Sequence, residues 1–431
     1  MGLENYQDYS LHWKLRQMIN ASPYSYQLRT LANCGTLTDI NGVHVLANGK
    51  NVKFLGNRFC NNSWGCPACT ARKMSKYSAR ISCAIDALAQ QNKAAVMITY
   101  TVFHTKQYSL DEMLTLLSSC WNKLQKNAYW KRQKNNGSYY TKGGTYSNFI
   151  SEFNIKHTIR ATEITYGEHG WHPHLHVLYF VDKKDLPRVV QWEQKLIDTW
   201  LDIENRTAKE IFTGKTLEVR NMLNERYHRN SSHQGVCISK TETGETLQIK
   251  SGDYICGWGG NNELTGGSAT ELKPAHEGHL TLMQMVFKAL TENDKDLFDI
   301  YCQALITLTK RRQHRLDFSR TGLNAIVAQY KNSVGYQELL KKKRTDELAR
   351  QNIRPYSTVC WFTKQQWLDI SITEKYSQKR ILPMIAKLAN KPNAFDLICR
   401  LMQYYNLSPP LPNSPGIDIS KSYNELCGFA A

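Results

Sequence analysis

The chain is short of acid. Asp plus Glu number 37 against 55 Lys plus Arg, a formal net charge of +18 at pH 7 over 431 residues. Such a surplus of cations favours a polyanionic partner, because each phosphate neutralised releases condensed counterions. Also missing is any apolar run long enough to span a bilayer, and no basic amphipathic anchor stands out, so a membrane partner is not expected. Met1-Gly2-Leu3-Glu4-Asn5 lacks the basic and apolar regions of a secretory leader, and Tyr6 stands where myristoylation needs Ser or Thr. The expectation is a cytoplasmic protein. A phosphate-cradling P-loop is absent too. Thr213-Gly214-Lys215-Thr216 has its ending, but Lys209 stands where its first glycine belongs. Any helicase would therefore be a separate host protein.

What is present is enough apolar content, 41%, for two or three cores, with no internal repeat. Pattern divides the chain into four segments. Residues 1–92 carry a cysteine cluster and a basic helix over 70–89. Residues 93–270 alternate strand-like and helix-like stretches, with a mobile loop expected over 135–148. Residues 271–350 read as helical, with Leu280, Met283, Val286 and Leu290 at helical spacing. Residues 351–431 read as a second helical block ending in a disordered tail from Ser408.

Twelve cysteines in an intracellular chain do not make a disulfide framework. Cys83, Cys302 and Cys399 sit among apolar neighbours and read as small buried hydrophobes. Cys34, Cys60, Cys66 and Cys69 are different. Cys66-Pro67-Ala68-Cys69 is a tight knuckle, Cys60 lies six positions earlier, and Cys34 is the natural fourth ligand of a closed, structural Zn²⁺ site. A redox pair would want a strand–helix context that is lacking. Beyond the knuckle, Arg72, Lys76 and Arg80 give one basic face, fit for phosphate backbone or simply for solvent. Tyr129, Trp130, Tyr139 and Tyr140 lie among lysines, either stacking unpaired bases or as ordinary surface aromatics.

The most informative stretch is Trp171-His172-Pro173-His174-Leu175-His176-Val177-Leu178, which puts three of the 13 histidines on one face of a strand. The preceding stretch is also strand-like, and Gly167-Glu168-His169-Gly170 reads as a hairpin turn. Centring the turn there pairs Glu163 with His174, Thr165 with His172 and Ala161 with His176. Glu163 then joins the imidazoles, and two or three histidines plus a carboxylate suit Mn²⁺ or Mg²⁺, with Zn²⁺ also able to bind.

Gly-Trp-His-Pro-His-Leu-His resembles the histidine–hydrophobe–histidine motif of the HUH endonucleases, and in particular of single-tyrosine rolling-circle replication initiators. Ala95-Val96-Met97-Ile98-Thr99-Tyr100-Thr101 resembles their first motif. Tyr254-Ile255-Cys256-Gly257-Trp258-Gly259 resembles their third, which carries the nucleophile. The block from Arg311 to Leu323 resembles the helical region after their nuclease core. The resemblance implies an α+β fold: an antiparallel sheet of about five strands, helices on one face, a zinc-bearing segment before it and helical regions after it. It further implies that Glu163, His174 and His176 hold Mg²⁺ or Mn²⁺, with His172 as a fourth ligand or behind them. Tyr254 would attack single-stranded origin DNA, leaving a 3′ hydroxyl for a host polymerase. Asp253 and Glu263 are the candidates for the second, terminating event. Relatives usually carry a lysine where this chain has Gly257, so either another basic group such as Lys250 takes that role or the nucleophile is a tyrosine other than Tyr254. A rolling-circle transposase and a non-catalytic zinc-containing DNA-binding protein are the alternatives, with a small-molecule hydrolase more distant.

Overall fold

The computed structural model describes residues 6–38, 42–49, 52–127, 131–135, 138–142, 145–212, 235–250, 278–319, 322–338, 357–377 and 380–412. The fold is α+β around an antiparallel sheet. Lys93–Thr101, Gly170–Asp182 and Thr158–Gly167 lie side by side as its three long strands. The short strands Val236–Ile238 and Gln248–Ile249 share the edge beside the first, and Leu280–Thr281 and Leu316–Phe318 share the edge beside the last. Seven strands thus fill five positions.

Helices cover both faces, not the single face expected. The reason is in the strands: Lys93–Thr101 and Gly170–Asp182 are buried almost without alternation, so neither face can meet water. On one face Val96, Ile98, Tyr100, Val177 and Tyr179 pack against Leu117, Trp121, Phe149 and Trp200. These come from helices Leu110–Asn127, Thr145–Glu152 and Glu193–Ile211. On the other, Met97, Ile159, Leu178 and Phe180 pack against Ile81, Ile85 and Leu88 of helix Pro67–Ala89, and against Val327.

Three more expectations change. Within the 135–148 loop, Ser138–Lys142 is a strand, paired antiparallel with Lys131–Asn135 just before it. The 271–350 segment is not all helical. Leu280 is in a strand, while Met283, Val286 and Leu290 line the buried side of helix Leu282–Glu292 as their spacing requires. In the tail, Leu411 exchanges backbone hydrogen bonds with Trp361, so 408–412 is ordered.

The first and last segments meet in space. Ser357–Phe362 pairs with Val43–Ala47, which pairs with Val52–Leu55. This small sheet packs on Trp367, Ile370, Ile381, Ile385 and Met402 in a second core. No helix among the described residues is long and apolar enough to cross a membrane.

Candidate metal centres

The long hairpin has the register centred between Glu168 and His169, pairing Glu163 with His174, Thr165 with His172 and Ala161 with His176. Alternation therefore turns Glu163, His174 and His176 to one face, the same face as Leu178 and Phe180. Helix Pro67–Ala89 covers the apolar end of that face. The histidine end holds the polar cluster.

Both imidazoles converge on one oxygen. His174 Nε2 is 2.7 Å and His176 Nε2 2.9 Å from Glu163 Oε2. Ligands about 2.1 Å from one hard divalent ion and at right angles stand about 3 Å apart, so the three donors fit a shared ion with positions left over. Burial pushes Glu163 towards its neutral form, but the charge and hydrogen bonds of His174 and His176 prevail and hold it well below the carboxylate range. Burial lowers His176, which favours the neutral ring that a metal ligand needs. Thr99 Oγ1 lies 2.9 Å from His176 Nδ1 and fixes the ring from behind.

His172 is on the expected face but outside this trio. Its ring stacks on His104 with centres 4.1 Å apart, and His279 is 5.8 Å away. Sequence spacing gave no sign of His104 or His279. His104 follows the first long strand and His279 precedes a short edge strand, and only the closed sheet brings them to the hairpin.

The four cysteines form a second cluster. Sγ of Cys34 is 3.5 Å from that of Cys66 and 3.7 Å from that of Cys69, and Cys60 is 3.5 Å from Cys69. Sulfurs about 2.3 Å from a tetrahedral ion stand about 3.8 Å apart, so the set fits such an ion without rearrangement. Cys66 precedes helix Pro67–Ala89 with Cys69 in its first turn, where the dipole favours thiolates. Hydrogen bonds from the other three cysteines hold Cys34 far below an ordinary thiol, while burial pushes Cys66 up. Backbone N–H groups of Cys60 and Asn62 point at the sulfurs of Cys34 and Cys60, each 3.4 Å away. The site is closed, which suits structure rather than catalysis.

Of the proposed basic face, Arg72 stacks on Phe59 at 4.2 Å, and Arg80 stacks on Phe318 at 3.9 Å while donating to Asn324. Lys76 is exposed. Tyr254, Asp253, Glu263 and Gly257 lie outside the described residues, as do Tyr129 and Trp130. Tyr139 and Tyr140 belong to the strand Ser138–Lys142.

No protein-family profile matches the chain, and no solved structure matches it. Among curated proteins, a neomycin resistance protein of Streptomyces cyanogenus is 28% identical over 145 residues, 30% of this chain. The match spans 31% of that protein's length.

Proposed function

We propose that the chain is a metal-dependent endonuclease that nicks single-stranded origin DNA to initiate rolling-circle replication. The convergence of His174 and His176 on one Glu163 oxygen, at the histidine end of a sheet face, carries this reading. Those three residues would hold Mg²⁺ or Mn²⁺. The ion supplies Lewis-acid polarisation of a phosphate oxygen. Thr99 keeps the His176 ring aimed, and Glu163 brings the negative charge that keeps the cation in place.

Tyr254 is the assigned nucleophile. Its phenolic oxygen bonds to phosphorus as the bond to the 3′ oxygen breaks. The phenol proton leaves, the 3′ oxygen gains a proton, and the 5′ end stays on the protein as a phosphotyrosine. The 3′ hydroxyl then primes a host polymerase, with a host helicase opening the duplex. Asp253 and Glu263 are the carboxylates available to activate water for release. The cysteine set holds structural Zn²⁺. The +18 charge, and Lys76 with its neighbours Arg72 and Arg80, serve backbone contact.

The test is end-labelled single-stranded origin DNA with Mn²⁺, read as a nicked strand and a protein–DNA adduct that survives denaturation. Wild type should give both, and Glu163→Gln, His174→Ala and Tyr254→Phe neither. An adduct persisting in Tyr254→Phe alone would move the nucleophile to another tyrosine. An adduct joined to a new strand would favour the transposase. No adduct on DNA that the protein binds would leave a non-catalytic DNA-binding protein.

A further inference from the structure

From the placement of four further imidazoles beside the Glu163 trio we infer that the protein binds a second transition-metal ion, through His104, His172 and His279 with His169 at its rim. Three separate parts of the chain supply these residues. His104 follows the strand Lys93–Thr101, His169 and His172 belong to the hairpin, and His279 precedes the strand Leu280–Thr281. Ring centres stand 4.1 Å apart for His104 and His172, 5.8 Å for His172 and His279, and 6.0 Å for His104 and His279. His169 is 6.5 Å from His104. An imidazole bound through nitrogen at about 2.05 Å has its centre about 3.2 Å from the ion, so rings sharing an ion stand roughly 4.5 to 6.4 Å apart. The separations of His279 from His172 and His104 fall in that range, while His104–His172 at 4.1 Å lies below it and His104–His169 at 6.5 Å just above it. Filling the site needs the His104 ring, stacked at 14° on His172, to turn about its side-chain bonds while the backbone stays in place.

The backbone is shaped to bring these groups together. A Cβ on Gly167 would lie 2.7 Å from both His279 Nδ1 and the Gly278 carbonyl oxygen. One on Gly170 would lie 2.9 Å from Lys106 Cα. Only a hairpin bare of side chains at both ends lets the His279 segment and the His104 segment close on it. The donors also set the metal class. Glu163 is committed to His174 and His176, so the second group offers imidazole nitrogens without a carboxylate, which suit Zn²⁺, Ni²⁺ or Cu²⁺ over Mg²⁺. His172 is thereby assigned to the second group, at its border with the first, since its ring centre stands 5.2 Å from that of His174.

The inference does not depend on nicking. Intact protein with its cysteine site filled with zinc is titrated with Ni²⁺, and bound ions are counted by native mass spectrometry. Wild type should take up two further ions, and His174→Ala one. The double variant His104→Ala/His279→Ala should also take up one, and His104→Phe, which keeps the stack on His172 but offers no nitrogen, should weaken the second ion at least tenfold. Circular dichroism melting confirms that each variant is folded. A wild type that binds a single ion, lost in His174→Ala, overturns the second site. So does a second ion indifferent to both His104 variants. A wild-type ion lost only with His104 and His279 would keep this site and remove the metal trio instead.

Discussion

Replacing Thr99 by Val tests whether His176 is a held ligand or merely a buried histidine. Thr99 faces His176 across the ladder, and its hydroxyl oxygen is 2.9 Å from Nδ1 of a ring whose residue is only 3% exposed. Val keeps the shape, the branching and the strand preference, so the substitution removes one hydrogen bond and little else. A buried ring nitrogen left without its partner costs about 1–3 kcal/mol. If the bond serves to aim Nε2, that cost appears in ion affinity as a loss of roughly 5- to 150-fold. Loss of a partner behind a metal-binding histidine typically costs about 10–100-fold, within the same range. Calorimetric titration with Mn²⁺ should show this loss in Thr99→Val and recovery in Thr99→Ser. A Thr99→Val protein that melts earlier yet binds Mn²⁺ like wild type would refute the reasoning, since the hydroxyl would then only stabilise the sheet.

Three further outcomes are expected. Burial lowers His176 below the ordinary histidine value of 6.5, so the unfolded chain takes up that proton first and stability falls as pH drops below 6.5. Glu163 is lowered as well: its contribution is intact above the ordinary carboxylate value of 4.5 and is lost only at lower pH. Metal-free melting midpoints should therefore decline from about pH 6.5 downward, less so in His176→Asn, and a flat profile would contradict the assignment. Gly170→Ala, at φ +84 and with its Cβ pressed on Lys106, should cost at least about 1–2 kcal/mol by denaturant unfolding. Cys66→Ser should lose the bound ion and raise hydrogen exchange in helix Lys364–Ser377. Unchanged exchange in the ion-free variant would sever the proposed link between knuckle and helix.

That link rests on the backbone just past Cys34. The Trp367 indole donates to the Gly35 carbonyl at 3.2 Å, and the Ser371 hydroxyl to the Thr36 carbonyl at 3.0 Å. Buried Arg16 donates to the Ala32 carbonyl and lies 3.7 Å from Glu374 of the same helix. None of this was legible in the sequence. Cys34 and Trp367 are more than three hundred positions apart, and no local pattern encodes such pairings. The hairpin register was legible because a two-residue turn leaves one pairing and period-two alternation does the rest. The cysteine set was legible for a similar reason, since metal ligands impose spacings that propensity cannot mimic. Helical periodicity misled at Leu280, where an edge strand runs directly into the helix and shares its apolar spacing. Covering helices were undercounted because a strand buried on both faces looks, in sequence, like any apolar run.

The structure ties the two candidate metal centres to one another through a few bonds. Ser63 and Trp64 stand just before Cys66. The Trp64 indole donates to the Gln313 carbonyl at 3.0 Å, and Arg315 donates to the Ser63 carbonyl at 2.9 Å. The Tyr301 hydroxyl donates to the Gly65 carbonyl at 2.7 Å. The Arg315 carbonyl in turn accepts the backbone N–H of Thr162, next to Glu163, at 2.9 Å. The knuckle thus fixes the short strand Leu316–Phe318 against the edge of the strand that carries the metal carboxylate. Helix Pro67–Ala89, which begins at the knuckle, covers the apolar end of the same face. The cysteine cluster is thereby linked through these bonds to the strand that carries Glu163 and to the helix that covers the apolar end of its face. Ion loss at the cysteines should weaken Mn²⁺ binding at the trio without touching any of its ligands.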